Sequence, residues 1–595
     1  MVKGDDIHRL FCFFWLYSIR ISQNQRENMP SISISSGLLQ ENLNNQFTLF
    51  ATHSIINRFW EKDYTIWRSE EVHKKSILNR LGWLNSLDLM LANVDSLLAF
   101  RNEIKDAGFK NIVVLGMGGS SLCPDVCRAT FGSTEGFPQL IVLDSTNPTS
   151  ILRIEKQIDL TKTLFIVASK SGGTTETNMF YQYFYDRVSS VKKNPGENFI
   201  AVTDANTKME SIAKEKQFRR IFINPEDIGG RYSALSYFGL VPMALIGMDV
   251  KKILHSADEM RKQSKFETVQ NPAAQIGLLM GEAHNEDIDK MTFILSSEIA
   301  TFGYWAEQLI AESTGKEGKG ILPVEGEIIP QSFDANKFGE DRFFIFLLLE
   351  KDSQKYSVLQ KELTEKNIPF AIIILKDIYE LGSQFFLWEF ATAISAIVLK
   401  INPFDEPNVK ESKDNTVRVI EEFKINGKLP MNNSAIIQMP YALFAEPAYV
   451  SKLSASSVSS MLKKHFSGHK NEDYISLLAY IDQNPANEKI LYALREEITK
   501  MFGLPVTVGF GPRYLHSTGQ LHKGGKSNGI FLIIAGDEPR DSKIPDEVFS
   551  FEVLKNAQSL GDYQSFADRK SRLLYIHISG DLGKGLKQIS EEIMK

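Results

Sequence analysis

Three cysteines, Cys12, Cys123 and Cys127, are all that 595 residues contain. A disulfide scaffold is thereby excluded, and the count suits a reducing, cytoplasmic compartment. No run of about 18 apolar residues occurs, so no membrane-spanning helix is expected. A basic excess is missing too: 67 Lys+Arg stand against 73 Asp+Glu, a formal net charge of −6. Such a chain is unsuited to work mainly on nucleic acid, because phosphate neutralisation needs a basic surface. A local pocket for a small anion is compatible with it. No short-period repeat is visible. Cys123/Cys127 and His465/His469 are each spaced i,i+4, but nothing completes a zinc set around either pair. The cysteines read as a core-facing pair, the two histidines as surface residues, and no metal or cofactor is expected.

What is present is an ordinary globular balance, 43% apolar and 24% charged, in a length that allows about four domain-equivalents. The stretch Leu10 to Leu16 (LFCFFWL) follows a segment of mixed charge and precedes no small-residue cleavage site, which argues against a secretory signal. Ser22 to Asn45 is rich in Ser, Asn and Gln and reads as disordered. Residues 1–45 are therefore taken as a tail, with Met29 as an alternative start. From Gln46 the pattern turns helical. Short β-branched runs then alternate with helix-length stretches: NIVVL (111–115), 140–143, LFIVA (164–168), 199–202 and 221–223, then TFIL (292–295), 343–349 and AIIIL (371–375), and finally 506–508, IFLII (530–534) and 573–578. This is the signature of βαβ units around buried parallel sheets. The expected fold class is α/β, with a helical arm and first domain over 46–255, a second domain over 256–435 and a C-terminal α/β extension over 436–595.

Two loops follow such strands and are read as opening helices. The first is Gly116–Met117–Gly118–Gly119–Ser120–Ser121. Its glycines permit a tight turn whose amides favour an anion, although a plain strand-to-helix turn explains it equally well. It is neither a dinucleotide fingerprint nor a P-loop. The second, Ser169–Lys170–Ser171–Gly172–Gly173–Thr174–Thr175–Glu176, concentrates four hydroxyls, an ammonium and two glycines. An N-cap needs one hydroxyl, not four, so a phosphate is the better reading. Together the loops point to a phosphorylated small molecule at the carboxyl ends of parallel strands.

Here the motifs become recognisable. VLGMGGSSL (113–122), VASKSGGTTET (167–177), GGRYSALSYFGLVP (229–242), AESTGKEGKGILP (311–323) and NPFDEPNVKESK (402–413) resemble, in order, the glucose-6-phosphate isomerase family of sugar-isomerase (SIS) domain proteins. GFGPRYLHSTGQLHKGG (509–525) is similar to the isomerase half of transaldolase/glucose-6-phosphate isomerase fusions. No transaldolase activity is expected, since the unassigned tail is far shorter than a barrel. The resemblance implies two SIS-type α/β/α sandwiches, a homodimer, and interconversion of D-glucose 6-phosphate and D-fructose 6-phosphate.

It also implies roles. Glu312 matches the base that moves a proton between C2 and C1, where composition alone suggests a helix-surface glutamate like Glu307 or Glu317. Arg231 matches the cation beside the developing oxyanion, the plain alternative being a structural ion pair. Lys413 matches a lysine near the sugar ring, and the glutamine expected seven positions earlier is replaced by Glu406, which puts that contact in doubt. Ring opening has no histidine at the family's place, because residues 324–342 contain none. His516, in LHSTGQ, is the candidate, with His522 as second choice, each otherwise a buried structural histidine. Gly119, Ser120, Ser169, Lys170, Ser171 and Thr174 are the expected phosphate contacts, with solvent as the alternative for Lys170. A non-catalytic sugar-phosphate-binding SIS module and an SIS isomerase of another sugar phosphate are the competing functions. The sensor would be free to lose Glu312, Arg231 or Lys413.

Overall fold

A computed structural model describes residues 30–329, 339–430 and 436–594. The apolar stretch 10–16 and Cys12 lie outside the described residues. The described chain begins with strand β1 (Ser31–Ser35), which pairs antiparallel with a strand more than 300 residues away, Ser31 opposite Ile374 and Ser35 opposite Phe370. Helix α1 (Gln40–Thr52) follows. Residues 31–45 are thus not the disordered segment that their composition suggests. The serines conceal a SISIS alternation whose Ile32 and Ile34 pack against the main core, as period two requires of a half-buried strand.

The first sheet contains β2 (Asn111–Gly116), β3 (Gln139–Leu143), β4 (Thr163–Ala168), β5 (Phe199–Asp204) and β6 (Arg220–Asn224), all parallel in the order β3-β2-β4-β5-β6. Helix α2 (Leu122–Phe131) leaves β2, α3 (Pro148–Gln157) leaves β3 and α4 (Thr175–Ser189) leaves β4. Every residue of β4 and β5 is buried, which explains their unbroken apolar sequences. Cys123 and Cys127 face the core on α2.

The second sheet, β1-β10-β9-β7-β8, comprises β7 (Lys290–Leu295), β8 (Leu322–Val324), β9 (Arg342–Leu349) and β10 (Phe370–Leu375) besides β1. Helix α5 (Phe302–Thr314) follows β7. Helix α6 (Leu381–Leu399) is mostly apolar and nearly all buried. By length and composition the helical stretch Ile378–Leu399 could cross a membrane, but here it is a buried core helix.

The C-terminal segment is a full six-stranded sheet, reached through α7 (Val409–Asn426). It is built from β11 (Ile436–Gln438), β12 (Tyr441–Phe444), β13 (Tyr474–Tyr480), β14 (Val506–Phe510), β15 (Gly529–Gly536) and β16 (Arg572–Ile578), in the order β11-β12-β16-β15-β13-β14. A short helix α8 (Gly519–Gly524) follows β14, and α9 (Phe551–Asp568) precedes β16. The parallel strands run 14-13-15-16, just as the others run 3-2-4-5 and 8-7-9-10. Each sheet therefore has a winding reversal beside its first parallel strand, the place where such sheets open a crevice. In the third sheet the chain fills that crevice itself. Asn147 and Thr149 at the start of α3 donate to Glu538 at 2.6 and 2.8 Å, and Ser150 and Arg153 donate to Asp482.

His465 is not a surface residue. It is 1% exposed, with Nδ1 against the Tyr449 hydroxyl and Nε2 against the Phe531 carbonyl. Burial drives its pKa down to about 3, so it is a neutral, hydrogen-bonded core histidine.

Candidate active site

The two loops read from sequence leave neighbouring strands side by side, since Gly116 of β2 is in register with Ala168 of β4, at the winding reversal of the first sheet. Three further segments close on the first loop. A methyl group on Gly119 would lie 1.9 Å from the Gly230 carbonyl oxygen, and one on Gly118 would lie 2.9 Å from Gln308 Nε2 and 3.0 Å from His516 Cβ. Gly118 also has φ +53°, a conformation that side chains disfavour. Glycine is needed here because three other segments press against this loop at or inside van der Waals distance.

Arg231, 5% exposed, follows Gly229–Gly230. Its Nε donates to Ser313 Oγ at 2.8 Å and Nη2 to the Pro403 and Asp405 carbonyls at 2.7 and 2.9 Å. Nη1 is left facing carboxylates: Glu312 Oε1 and Glu406 Oε2, both at 3.2 Å. Glu312 is no helix-surface group. It is 8% exposed on the inner face of α5. Burial raises its pKa, Arg231 opposes that rise, Glu406 adds to it and His516 subtracts. Gln308, one turn earlier on α5, donates from Nε2 to Glu312 at 3.2 Å and to the His516 carbonyl at 2.7 Å.

His516 stands in the turn after β14. Its Nε2 lies 3.2 Å from Glu176 Oε1 on α4. The same oxygen accepts from Gln558 Nε2 on α9 at 2.8 Å, and Gln558 Oε1 in turn accepts from Thr146 Oγ1 at 2.6 Å. Burial alone would raise the Glu176 pKa, but the charge and hydrogen bond of His516, with help from Lys413, bring it below the ordinary value. An ionised carboxylate can only accept, so Nε2 carries a hydrogen towards Glu176. Lys413 is exposed on α7 and makes no hydrogen bond or ion pair among the described residues, yet its charge reaches Glu176. His522 is elsewhere. Its two ring nitrogens face Tyr474 and Ser476 at 2.9 and 3.4 Å, and burial lowers its pKa to about 3.

In the second loop Ser169 Oγ and Thr174 Oγ1 are 3.0 Å apart, and Ser171 Oγ accepts from Gly173 N at 3.2 Å. Neither Thr174, the cap of α4, nor Ser121, the cap of α2, caps its helix with a side chain, so first-turn amides of both helices are open to an acceptor. The half-buried Ser120 sits in the first loop. Lys170 departs from expectation. Its ammonium pairs with Asp204 and donates to the Glu226 carbonyl at 2.8 Å, so it faces neither solvent nor the hydroxyl cluster alone.

Glu312, Arg231, Gly119 and His516 are thus brought together within one chain, with Glu176 linking His516 to the hydroxyl loop. Glu176, Gln308, Ser313 and Gln558 were not singled out from sequence. Glu176 ends the hydroxyl loop and Gln308 precedes Glu312 by one helical turn, both readable signals. Gln558 carries none. Lys316 was also missed. It is buried with Nζ against the Asp405 carbonyl and carboxylate, and burial lowers its pKa to about 8.

Residues 102–340 match the family model described as Phosphoglucose isomerase. The chain is 28% identical over 457 residues to the "Probable glucose-6-phosphate isomerase" of Methanococcus maripaludis, covering 70% of this chain and 97% of that protein. It is 27% identical to the glucose-6-phosphate isomerases of Methanocaldococcus jannaschii and Mycoplasmopsis pulmonis, covering 58% of this chain and 95% and 90% of theirs. A hypothetical protein of Thermus thermophilus has a similar fold, with TM-score 0.54 and 21% identity, over 67% of this chain and all of that one.

Proposed function

We propose that this chain is a glucose-6-phosphate isomerase, an aldose–ketose isomerase interconverting D-glucose 6-phosphate and D-fructose 6-phosphate through an enediolate. The observation that carries the mechanism is the pair formed by buried Glu312 and Arg231 at 3.2 Å, joined to His516 through Gln308.

The substrate phosphate is held by the Ser169, Ser171 and Thr174 hydroxyls, Ser120 and the Gly119 amide. Lys170 supports the loop through Asp204. His516, oriented by Glu176, exchanges a proton with the ring oxygen and O1 through Nδ1 and opens the ring, with Lys413 beside it. Glu312 then takes the C2 proton and returns it to C1. Burial makes this carboxylate a stronger base than an ordinary one, while Arg231 keeps it ionisable, the compromise a general base near neutral pH needs. As charge moves onto the substrate oxygen, the Arg231 guanidinium, already fixed by three neutral acceptors, stabilises it without reorganising.

A coupled assay with fructose 6-phosphate tests this. Turnover to glucose 6-phosphate without added cofactor is expected, and its absence in the purified chain rejects the isomerase. A non-catalytic sugar-phosphate sensor would bind fructose 6-phosphate without converting it.

A further inference from the structure

The Arg231 guanidinium divides its donors unequally. Nε and Nη2 are taken by Ser313 Oγ and by the Pro403 and Asp405 carbonyls. Only Nη1 faces charge, and it faces two carboxylates at the same 3.2 Å, Glu312 and Glu406. The two differ in freedom. The Glu312 side chain is 10% exposed and the Glu406 side chain 42%. Glu406 nevertheless stands on a fixed turn. Its neighbour Asp405 accepts from Lys316 Nζ at 2.9 Å and from Asn402 Nδ2 at 2.9 Å, and its carbonyl accepts from Arg231.

We propose that Glu406 is a positioning residue that competes with Glu312, and with the arriving substrate, for the single charge-facing nitrogen of Arg231, and so sets how much of that cation the base receives. The inference rests on Glu312 being the base. An amide at this position would have the same shape without the charge. The carboxylate draws Nη1 away from Glu312 while repelling Glu312 directly, and both effects favour a proton on Glu312. The charged groups facing Glu312 are Arg231, Glu406 and His516. Arg231 and His516 oppose that proton, and burial and Glu406 retain it. Once an oxyanion forms, Glu406 can turn to water, whereas Glu312 is held in place by Gln308. Glu406 therefore yields Nη1 to the intermediate.

The test is an infrared titration of the ligand-free protein, following the C=O stretch of protonated buried carboxyl groups. The Glu312 band is identified by its loss in Glu312→Gln. In Glu406→Gln its midpoint is expected about 0.5 to 1 pH unit lower, and the acid limb of kcat/KM moves with it, about 3- to 10-fold higher activity on that limb. A mere loss of packing would lower turnover without moving either midpoint. An unmoved or raised midpoint overturns the inference, as does a titration in which Glu312→Gln removes no band. A midpoint that falls in a protein showing no turnover of fructose 6-phosphate supports the competition for Arg231 and rejects the isomerase.

Discussion

His516 and Glu176 meet across 340 positions of sequence, Nε2 to Oε1 at 3.2 Å. The histidine comes from the third sheet and the carboxylate from the end of the hydroxyl-rich loop in the first. The contact ties the C-terminal segment to the site. The neutral amide of Gln558 donates to the same carboxylate oxygen at 2.8 Å.

Glu176→Gln keeps the shape and removes the charge. Turnover of ring-closed glucose 6-phosphate should fall about 10²-fold, while the affinity for an open-chain analogue stays near wild type. Steady-state kinetics and calorimetry separate the two. Equal loss of both would make Glu176 a structural residue.

Glu312→Gln should lower kcat about 10²- to 10⁴-fold and leave fructose 6-phosphate binding measurable by calorimetry, because the proposed phosphate contacts lie on other segments. Near-normal turnover removes Glu312 from the mechanism. As the proposed base Glu312 must be ionised in wild type, and burial raises its pKa. Activity is therefore lost as pH falls through a value above the ordinary 4.5, and an acid limb at or below 4.5 contradicts this.

Gly119→Ala sets a methyl group where the Gly230 carbonyl stands. The two backbones must part, moving Arg231. We expect about 1 to 3 kcal/mol of lost stability from overpacking and about a 10²-fold loss in turnover, the cost of a misplacement near 1 Å. Thermal melts and kinetics measure both, and unchanged kinetics would show that the loops approach without consequence for the site.

Glu389, 1% exposed in the middle of α6, has an unpartnered Oε1, and burial raises its pKa well above the ordinary 4.5. The folded protein keeps a proton that the unfolded chain releases. Its contribution to stability is therefore largest below the unfolded pKa and declines as pH rises towards the folded one, by about 1.4 kcal/mol per pH unit. Glu389→Gln should flatten the fall of Tm between pH 5 and 8, and an unaltered slope would show that Glu389 is ionised in the core.

The strands were legible wherever β-branched runs are buried on both faces, as in LFIVA before the hydroxyl loop. They were not legible where polarity hid the period, as in SISIS, nor in YISLLAY, a third-sheet strand whose apolar residues are interrupted. The hydroxyl loop was legible because its four hydroxyls, one ammonium and two glycines lie together in sequence. Lys170 was placed by type alone, and type says nothing of Asp204 waiting 34 positions later.

Local chemistry is what the sequence determines by itself here: parallel α/β sheets, a glycine loop and a hydroxyl loop at strand ends, and a glutamate, an arginine and two candidate histidines of suitable type. Tertiary structure alone separates the surroundings of the two histidines. Both occur in one short motif, yet the path of the chain turns His516 towards Glu176 and Gln308 and buries His522 against Tyr474 and Ser476. It also decided that Arg231 answers to two carboxylates, because the turn at 402–406 and α5 come within hydrogen-bond reach only after the sheets pack. A side chain's type is local, whereas its partners, its burial and hence its proton affinity are set by segments hundreds of residues away.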